Sequence, residues 1–225
     1  MAWVIDVVKS SLGAKALMAL SGLALVGFVL IHMLGNLQVF LGQDTFNAYA
    51  AMLKGNALVL WGARIVLLAA VLLHIAGGLR LAALNRKARP VGYSVYRPRA
   101  ATLFGRYMAL SGLVVMAFIV YHLLHFTIGV VHSEHFILRD ALGRHDVYSM
   151  FVRSFQNPVV SCAYIVAILL LGMHLWHGVA STCQSLGLNT PKYRPLIETL
   201  GTGLAFVVVV GNCAMPIAVL LGFLS

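Results

Sequence analysis

Four histidines inside apolar stretches are the residues whose type and spacing indicate chemistry. They are His32, His74, His122 and His174. Histidines within membrane spans are rare and costly, and they usually have a function. A single one is more often a hydrogen-bond partner between helices than a metal ligand. The arrangement of the four therefore decides between these roles.

An internal repeat relates these histidines in pairs. The hexapeptide MALSGL occurs twice, 90 residues apart, and that offset aligns His32 with His122. A second alignment, at an offset of 100, matches His74 with His174. Four histidines that return at equivalent positions of a duplicated sequence indicate a shared chemical role rather than four independent packing contacts.

The composition is that of an integral membrane protein. The chain has 225 residues, of which 61% are hydrophobic and only 10% are charged. A bilayer core of about 30 Å requires about 20 apolar residues per helix. Five stretches meet this requirement without the alternation typical of barrel strands: 16–41, 58–84, 103–130, 159–183 and 200–224.

We therefore predict an all-α integral membrane fold with five transmembrane helices. Residues 1–225 form one membrane domain in this interpretation. The duplicated halves, 16–84 and 103–183, supply four helices of an antiparallel bundle that carries the four histidines, and the fifth helix is an addition. Residues near the N-terminus have a spacing that fits either a short interfacial helix or an ordered lead-in to the first span.

The formal net charge is +10, and many of the basic residues lie in or beside one connection, between the second and third apolar stretches. The positive-inside rule places that connection in the cytoplasm, so the N-terminus is predicted inside and the C-terminus outside. Because membrane topology explains the charge, nucleic acid is not expected as a partner. The basic residues of this connection are Arg80, Arg86, Lys87, Arg89, Arg97, Arg99 and Arg106.

The cysteines and acidic residues of the sequence do not form other known kinds of site. The three cysteines form no CxxC or CxxCH motif, which excludes a disulfide framework, a zinc site and covalent c-type haem attachment. All six acidic residues lie in predicted loops or at helix ends. A di-metal carboxylate site within the membrane is therefore excluded.

The direction of each helix sets the depth of its histidine. The first and third helices run outward, so His32 and His122 are predicted near the outer side. The second and fourth run inward, so His74 and His174 are predicted near the inner side. Parallel repeats imply a pseudo-two-fold axis along the membrane normal, across which the members of each pair face each other.

Two opposed imidazoles in an apolar bundle are what six-coordinate haem requires, because the porphyrin supplies the other four nitrogens. We expect two b-type haems, one for each histidine pair, and hence a path for electrons across the membrane. Gly22 and Gly112 precede the outer histidines, and Gly78 and Gly178 follow the inner ones. These glycines give room either to a macrocycle or to close helix packing.

Further polar residues near the pairs are candidates for contacts with haem or quinone. Asn36 and Gln38 follow His32 and are candidates to bind a quinone. His125 and His177 fall outside the repeat and are expected to contact a propionate, a quinone or the backbone, or alternatively to replace His122 or His174 as ligands. The arginines near helix ends are candidates to neutralise haem propionates: Arg64, Arg80 and Arg106. The loop histidines are expected to be solvated: His132, His135 and His145.

The sequences around the histidines resemble a known family. The runs VLIHMLGNLQVFLG, VLLHIAGGL, FIVYHLLHFT and GMHLWHGVASTCQSLGLN are similar to those of the five-helix, di-haem cytochrome b subunit of succinate:quinone oxidoreductases. That family comprises succinate dehydrogenases and fumarate reductases of the bacterial single-anchor type. The resemblance implies axial ligation of two haems by His32 with His122 and by His74 with His174.

The resemblance also implies partners and a place in respiration. A flavoprotein and an iron–sulfur subunit would bind on the cytoplasmic face of the bacterial inner membrane, and menaquinone would be the usual quinone. Succinate chemistry would take place in a partner, with no catalytic residue in this chain, and a homodimer of the whole complex is compatible with this interpretation. Some family members are thought to use glutamates near the quinone for proton transfer. No span of this chain carries one, which puts such a route in doubt.

Two alternative functions remain open from the sequence. A di-haem cytochrome b could serve another quinone-linked dehydrogenase, such as a hydrogenase or a formate dehydrogenase. A haem-free membrane anchor or transporter could instead use the histidines to bind protons or metal.

Overall fold

The computed structural model describes residues 10–88, 91, 105 and 107–225. The predicted N-terminal interfacial helix and Arg106 therefore lie outside the described residues. The described part is helical, apart from its connections and one isolated antiparallel bridge between Arg139 and His145. Its α-helices are α1 Ser11–Asn36, α2 Gln43–Lys54, α3 Ala57–Lys87, α4 Met108–His122, α5 Ser133–Phe136, α6 Val147–Gln156, α7 Pro158–Ser185 and α8 Arg194–Leu220.

Five of these helices are long and apolar enough to cross a membrane, as predicted. They are α1, α3, α4, α7 and α8. A 3-10 segment, Leu37–Leu41, extends α1, and a π-helical segment, Leu123–Ile128, extends α4. The three cysteines are unpaired.

The fifth spanning helix differs most from its predicted bounds. It begins at Arg194, six residues earlier than expected, and Pro195 lies in its first turn. Proline is tolerated there because the first helical N–H groups have no intrahelical acceptor. The helix ends at Leu220, shortly before Gly222, whose φ of 78° is left-handed. Glu198 consequently lies within α8, close to its start, where its side chain is exposed.

Large apolar side chains remain exposed along the spanning helices. On α3 they include Leu58, Ile65, Leu68 and Leu72. Exposed aliphatic residues on successive turns would be unfavourable in water, whereas a lipid environment removes that cost. The exposed surface therefore agrees with a multi-pass membrane protein.

The chain forms two compact units, and each spanning helix contributes a stretch to both. The first unit contains the described residues of Met1–Gly27, Ile65–Gly112 and Met173–Ala205. The second unit comprises Phe28–Arg64, Leu113–Gly172 and Phe206–Ser225.

The core of the second unit is built around α6. Its apolar residues Val147, Met150, Phe151 and Phe155 follow a helical spacing and are all buried. Phe46 of α2 meets Phe151 edge to face, with ring centroids 6.0 Å apart. The amphipathic helix α6 thereby holds α2 in place.

A buried carboxylate connects the same two helices. Asp146 precedes α6 and caps it by accepting a hydrogen bond from the Ser149 amide at 3.0 Å. Its oxygens also accept hydrogen bonds from Asn47 at 3.0 Å and Gln43 at 2.9 Å. Burial opposes ionisation of Asp146, but these hydrogen bonds outweigh it and hold the pKa below its usual value.

We predict that Asp146→Asn destabilises the protein more at pH 7 than at pH 3. The folded pKa lies below that of the unfolded chain, about 3.9. The stabilisation is therefore complete above that pH and is lost as the pH falls through the folded pKa. At pH 7 the lost charge-assisted hydrogen bonds cost about 1–3 kcal/mol. Apparent melting temperatures in detergent at both pH values measure this.

Glu198→Gln is the matched control, because it makes the same chemical change at an exposed position. It should leave the melting temperature within about a degree of the wild type at both pH values. An equal loss of stability in Asp146→Asn at pH 7 and at pH 3 would contradict the role assigned to the ionised carboxylate.

Candidate functional site

The first unit brings together His74 of α3 and His174 of α7, the pair that the repeat predicts. Their ring centroids are 6.2 Å apart and their planes are inclined by 71°. Both rings are half-buried. This arrangement is called the first-unit pair below.

Hydrogen bonds determine which nitrogen of His74 carries the proton. Its Nδ1 lies 3.2 Å from the carbonyl oxygen of Met18 and 3.4 Å from the hydroxyl oxygen of Ser21. A carbonyl oxygen can only accept, so Nδ1–H is the donor. The lone pair is then on Nε2, which is the form of imidazole that binds a metal.

His174 is held in the same tautomer by the second copy of the repeat. Its Nδ1 lies 3.2 Å from the hydroxyl oxygen of Ser111. That hydroxyl donates its own proton to the Met108 carbonyl at 3.1 Å, so it accepts from Nδ1. Ser111 is the counterpart of Ser21 in the hexapeptide MALSGL. The repeat contained this signal, although the sequence analysis assigned no role to either serine.

The glycines of the hexapeptide face the same two imidazoles. A Cβ atom on Gly22 would lie 3.0 Å from Cε1 of His74, and one on Gly112 would lie 3.4 Å from Cε1 of His174. In contrast, a Cβ on Gly78 would meet only Met18, at 3.7 Å, and one on Gly178 would have no neighbour within 4 Å. Gly22 and Gly112 therefore allow the histidine rings to approach the backbone.

The second unit brings together His32 of α1 and His122 of α4, referred to as the second-unit pair. Their ring centroids are 5.7 Å apart and the planes are nearly perpendicular, at 87°. Phe28 stacks on His32 at 5.2 Å, and Phe118 lies 5.9 Å from His122. The two phenylalanines are also 90 residues apart, so each histidine is supported by an equivalent ring one turn earlier. His122 Nδ1 is buried and has no hydrogen-bond partner in the described part of the chain.

His125 occupies the π-helical segment directly after His122. Its side chain is buried, and its ring stacks on Phe126 with centroids 4.0 Å apart. Nδ1 lies 3.1 Å from the Tyr164 hydroxyl and Nε2 lies 3.0 Å from the Ser154 hydroxyl. Both ring nitrogens are thus engaged with protein hydroxyl groups, which the sequence analysis did not anticipate.

Asn36, Gln38 and His177 each lie within six residues of a paired histidine in the sequence. Asn36 donates a hydrogen bond to the carbonyl of His32 at 2.8 Å, and Gln38 lies in the 3-10 segment that follows. His177 Nε2 lies 3.1 Å from the Ser181 hydroxyl.

Two of the three candidate arginines are described. Arg64 belongs to the second unit, where its guanidinium lies 5.0 Å from the ring of Trp61. Arg80 belongs to the first unit, on α3. Each unit therefore contains one histidine pair and one of the two described candidate arginines.

The spacing of both pairs fits two ligands of one iron. Each metal–nitrogen bond is about 2 Å, so imidazoles on opposite sides of an iron have centroids about 6 Å apart. Edge-to-face aromatic pairs have a similar spacing. Nε2 of His74 and of His174 is unprotonated and available to a metal, whereas Nδ1 of His122 is buried without a hydrogen-bond partner among the described residues. No group of three or more potential metal ligands forms among the described residues, and haem requires only two.

Comparisons of the chain with protein-family models, curated proteins and solved structures gave no match. Interpretation of the site therefore depends on its geometry and on the sequence resemblance given above.

We predict that Gly22→Ala lowers the apparent melting temperature by several degrees. The new Cβ, 3.0 Å from Cε1 of His74, would push the imidazole away from its hydrogen bond to Met18. Gly27→Ala, on the same helix, is the matched control because nothing lies within 4 Å of its Cβ. That change should be neutral or stabilising by up to about 1 kcal/mol. Equal effects of the two substitutions would refute the close approach.

Proposed function

We propose that this chain is the di-haem cytochrome b membrane-anchor subunit of a succinate:quinone oxidoreductase. It would transfer electrons between an iron–sulfur subunit and a membrane quinone, and its four-helix part would be a duplicated haem-binding bundle. The observation that carries the proposal is the repeated hydrogen bond from Nδ1 of His74 and His174 to oxygen acceptors of the MALSGL segments.

The first-unit pair has the features expected of iron ligands. A hydrogen bond at Nδ1 fixes the ring orientation, keeps Nε2 unprotonated and makes the imidazole more basic. Met18 and the two serines perform this role, and Gly22 and Gly112 leave the space that it requires. A bound b haem would supply one-electron exchange between iron(II) and iron(III).

The second-unit pair has a different kind of support. Phe28 and Phe118 limit rotation of His32 and His122 by ring contact. Because both nitrogens of His125 are engaged with Tyr164 and Ser154, the geometry favours His122 as the ligand on α4.

Neighbouring residues are proposed to receive the charged and polar groups of the ligands. Arg64 would neutralise haem propionates in the second unit, and Arg80 would do so in the first unit. His177 would contact a propionate of the first-unit haem. Asn36 and Gln38 would donate hydrogen bonds to the quinone carbonyls, and menaquinone is the quinone that the sequence resemblance implies.

The proposed partners are a flavoprotein and an iron–sulfur subunit, in which the dicarboxylate chemistry would occur. They would bind at the basic connection between α3 and α4, on the cytoplasmic side of a bacterial inner membrane. This orientation is supported by the distribution of arginine and lysine in the sequence. Co-purification with a hydrogenase or a formate dehydrogenase instead would favour the alternative cytochrome b function.

We predict two b haems per chain, measured as pyridine haemochrome against protein concentration. His32→Ala and His74→Ala should each remove one haem, because each leaves an iron with a single axial ligand from the protein. His132→Ala is the control and should retain both haems, since His132 belongs to neither pair. A colourless purified protein, or haem content unchanged in both pair variants, would instead favour a haem-free anchor or transporter.

We further predict that Ser111→Ala raises the midpoint potential of one haem by tens of millivolts. Loss of the acceptor for Nδ1–H makes His174 a weaker electron donor, which favours reduced iron. A hydrogen bond of about 1 kcal/mol corresponds to roughly 40 mV for one electron. Ser21→Ala should have a smaller effect, because the Met18 carbonyl still accepts from His74.

Spectroelectrochemical titration of each variant in detergent measures these potentials. Thr202→Ala removes a hydroxyl of α8 that donates to the Glu198 carbonyl and contacts neither histidine pair, so it should leave both potentials unchanged. If Ser111→Ala leaves both potentials unchanged while both haems are present, His174 does not depend on this serine for its tautomer.

A further inference from the structure

A cavity of about 410 Å³ in the second unit contains none of the residues discussed as haem ligands. Two basic side chains, one histidine and two apolar side chains line it. They are Lys54, Phe136, Ile137, Arg139 and His145. A cavity with cationic and apolar walls is suited to an amphiphilic anion.

The loop between α5 and α6 is folded so that Arg139 and His145 meet. The two residues form the isolated antiparallel bridge, and Gly143 makes the turn with a φ of 76°. Asp140 stabilises the turn by accepting hydrogen bonds from the backbone and side chain of Arg144. Arg144 also donates to Asp44 of α2 at 2.6 Å. The cavity wall is thus built by a hydrogen-bonded loop.

His145 positions Lys54 at the cavity. Its Nε2 lies 2.8 Å from the carbonyl oxygen of Phe136, so Nε2–H is the donor there. Nδ1 therefore carries a lone pair and accepts a hydrogen bond from the Lys54 ammonium at 2.8 Å. His145 is therefore not the solvated loop residue that is predicted from the sequence, because it has two protein partners.

The positive charge at this cavity is not neutralised within the described residues. None of the four ion pairs found there includes Lys54, Arg64 or Arg139. Desolvation, together with repulsion from Arg64 and Arg139, holds the pKa of Lys54 below its usual value. Neighbouring carboxylates are engaged elsewhere, since Asp140 is bound to Arg144. An anion in the cavity would relieve this repulsion.

An exposed apolar residue lines the cavity, and others follow along the chain in the first turns of α3, which begins three residues after Lys54. Ile137, which lines the cavity, is 71% exposed, and Leu58 near the start of α3 is 84% exposed. Trp61 is also exposed, and Arg64 lies over its ring. Tryptophan and arginine at the end of a spanning helix are typical of the membrane–water interface. Acyl chains would cover such a surface, whereas a small inorganic ion would not.

We propose that this cavity binds the phosphate headgroup of an anionic phospholipid. Lys54 and Arg139 bind the phosphate oxygens, Phe136 and Ile137 contact the glycerol and the first acyl carbons, and His145 orients Lys54. Lysine and arginine side chains near a membrane surface attract anionic headgroups electrostatically. The inference does not depend on haem binding, because it uses only residues of the cavity and its rim.

The test uses the full-length protein in detergent, with dioleoyl phosphatidylglycerol as the probe and native mass spectrometry as the readout. The double variant Lys54→Gln with Arg139→Gln should bind this lipid about thirtyfold more weakly than the wild type. Each cation contributes a factor of about five near an anionic lipid. The matched control is Lys192→Gln with Arg194→Gln, which makes the same change in net charge in the first unit, outside the cavity, and should bind as the wild type does.

A charge-retaining variant separates charge from folding. Lys54→Arg with Arg139→Lys should bind phosphatidylglycerol within a few-fold of the wild type, and size-exclusion chromatography should show all variants to be monodisperse. Unchanged lipid binding in the neutral double variant would overturn the proposal. So would equal binding of dioleoyl phosphatidylcholine, or full competition by millimolar inorganic phosphate, since either result would show that an anionic lipid is not the specific ligand.

Discussion

The hydrogen bond from Nδ1 of His74 to the carbonyl of Met18 is the interaction on which the proposed site depends. A carbonyl oxygen cannot donate, so this hydrogen bond places the ring proton on Nδ1. The second copy of the sequence reaches the same result through Ser111, whose hydroxyl is already committed to the backbone. A carbonyl in one half of the repeat and a hydroxyl in the other therefore both leave Nε2 available to bind a metal.

Close packing is the condition for this interaction. The first-unit imidazoles approach α1 and α4 at glycines, where the absence of Cβ atoms leaves room for the edges of the rings. In the second unit, phenylalanine rings perform the orienting role. Hydrogen bonding thus orients the first-unit pair, whereas aromatic contact orients the second. This difference in surroundings would give the two proposed haems different electronic properties.

Polar chemistry in the second unit is concentrated in the segments that connect the spanning helices. Asn47 is fully buried and donates to both Asp140 and Asp146, so one amide connects α2 to the loop before α6. Asp140 is paired with Arg144, and Asp146 accepts hydrogen bonds from the Gln43 and Asn47 amides. Lys54 and Arg139 line the cavity and take part in none of the ion pairs among the described residues. The same network therefore stabilises the fold and produces a cationic cavity.

The sequence by itself determined the class of the fold and the pairing of the histidines. Five apolar stretches could only form spanning helices, because backbone groups in lipid must be hydrogen-bonded within their own segment. The offsets of 90 and 100 matched His32 with His122 and His74 with His174, and the structure places the members of each pair side by side. The helix α6 is also encoded locally, by the helical spacing of its apolar residues. The early start of α8 at a proline was equally open to prediction.

Only the tertiary structure decided what the individual side chains contact. The burial of His125 between Tyr164 and Ser154 depends on a π-helical segment, whose change of register cannot be read from local propensity. The role of Ser21 and Ser111 required knowledge of which helix packs against them. The cavity at Lys54 joins residues about 80 to 90 positions apart through a turn at Gly143. Contacts of this kind depend on the packing of distant segments, which periodicity and composition do not specify.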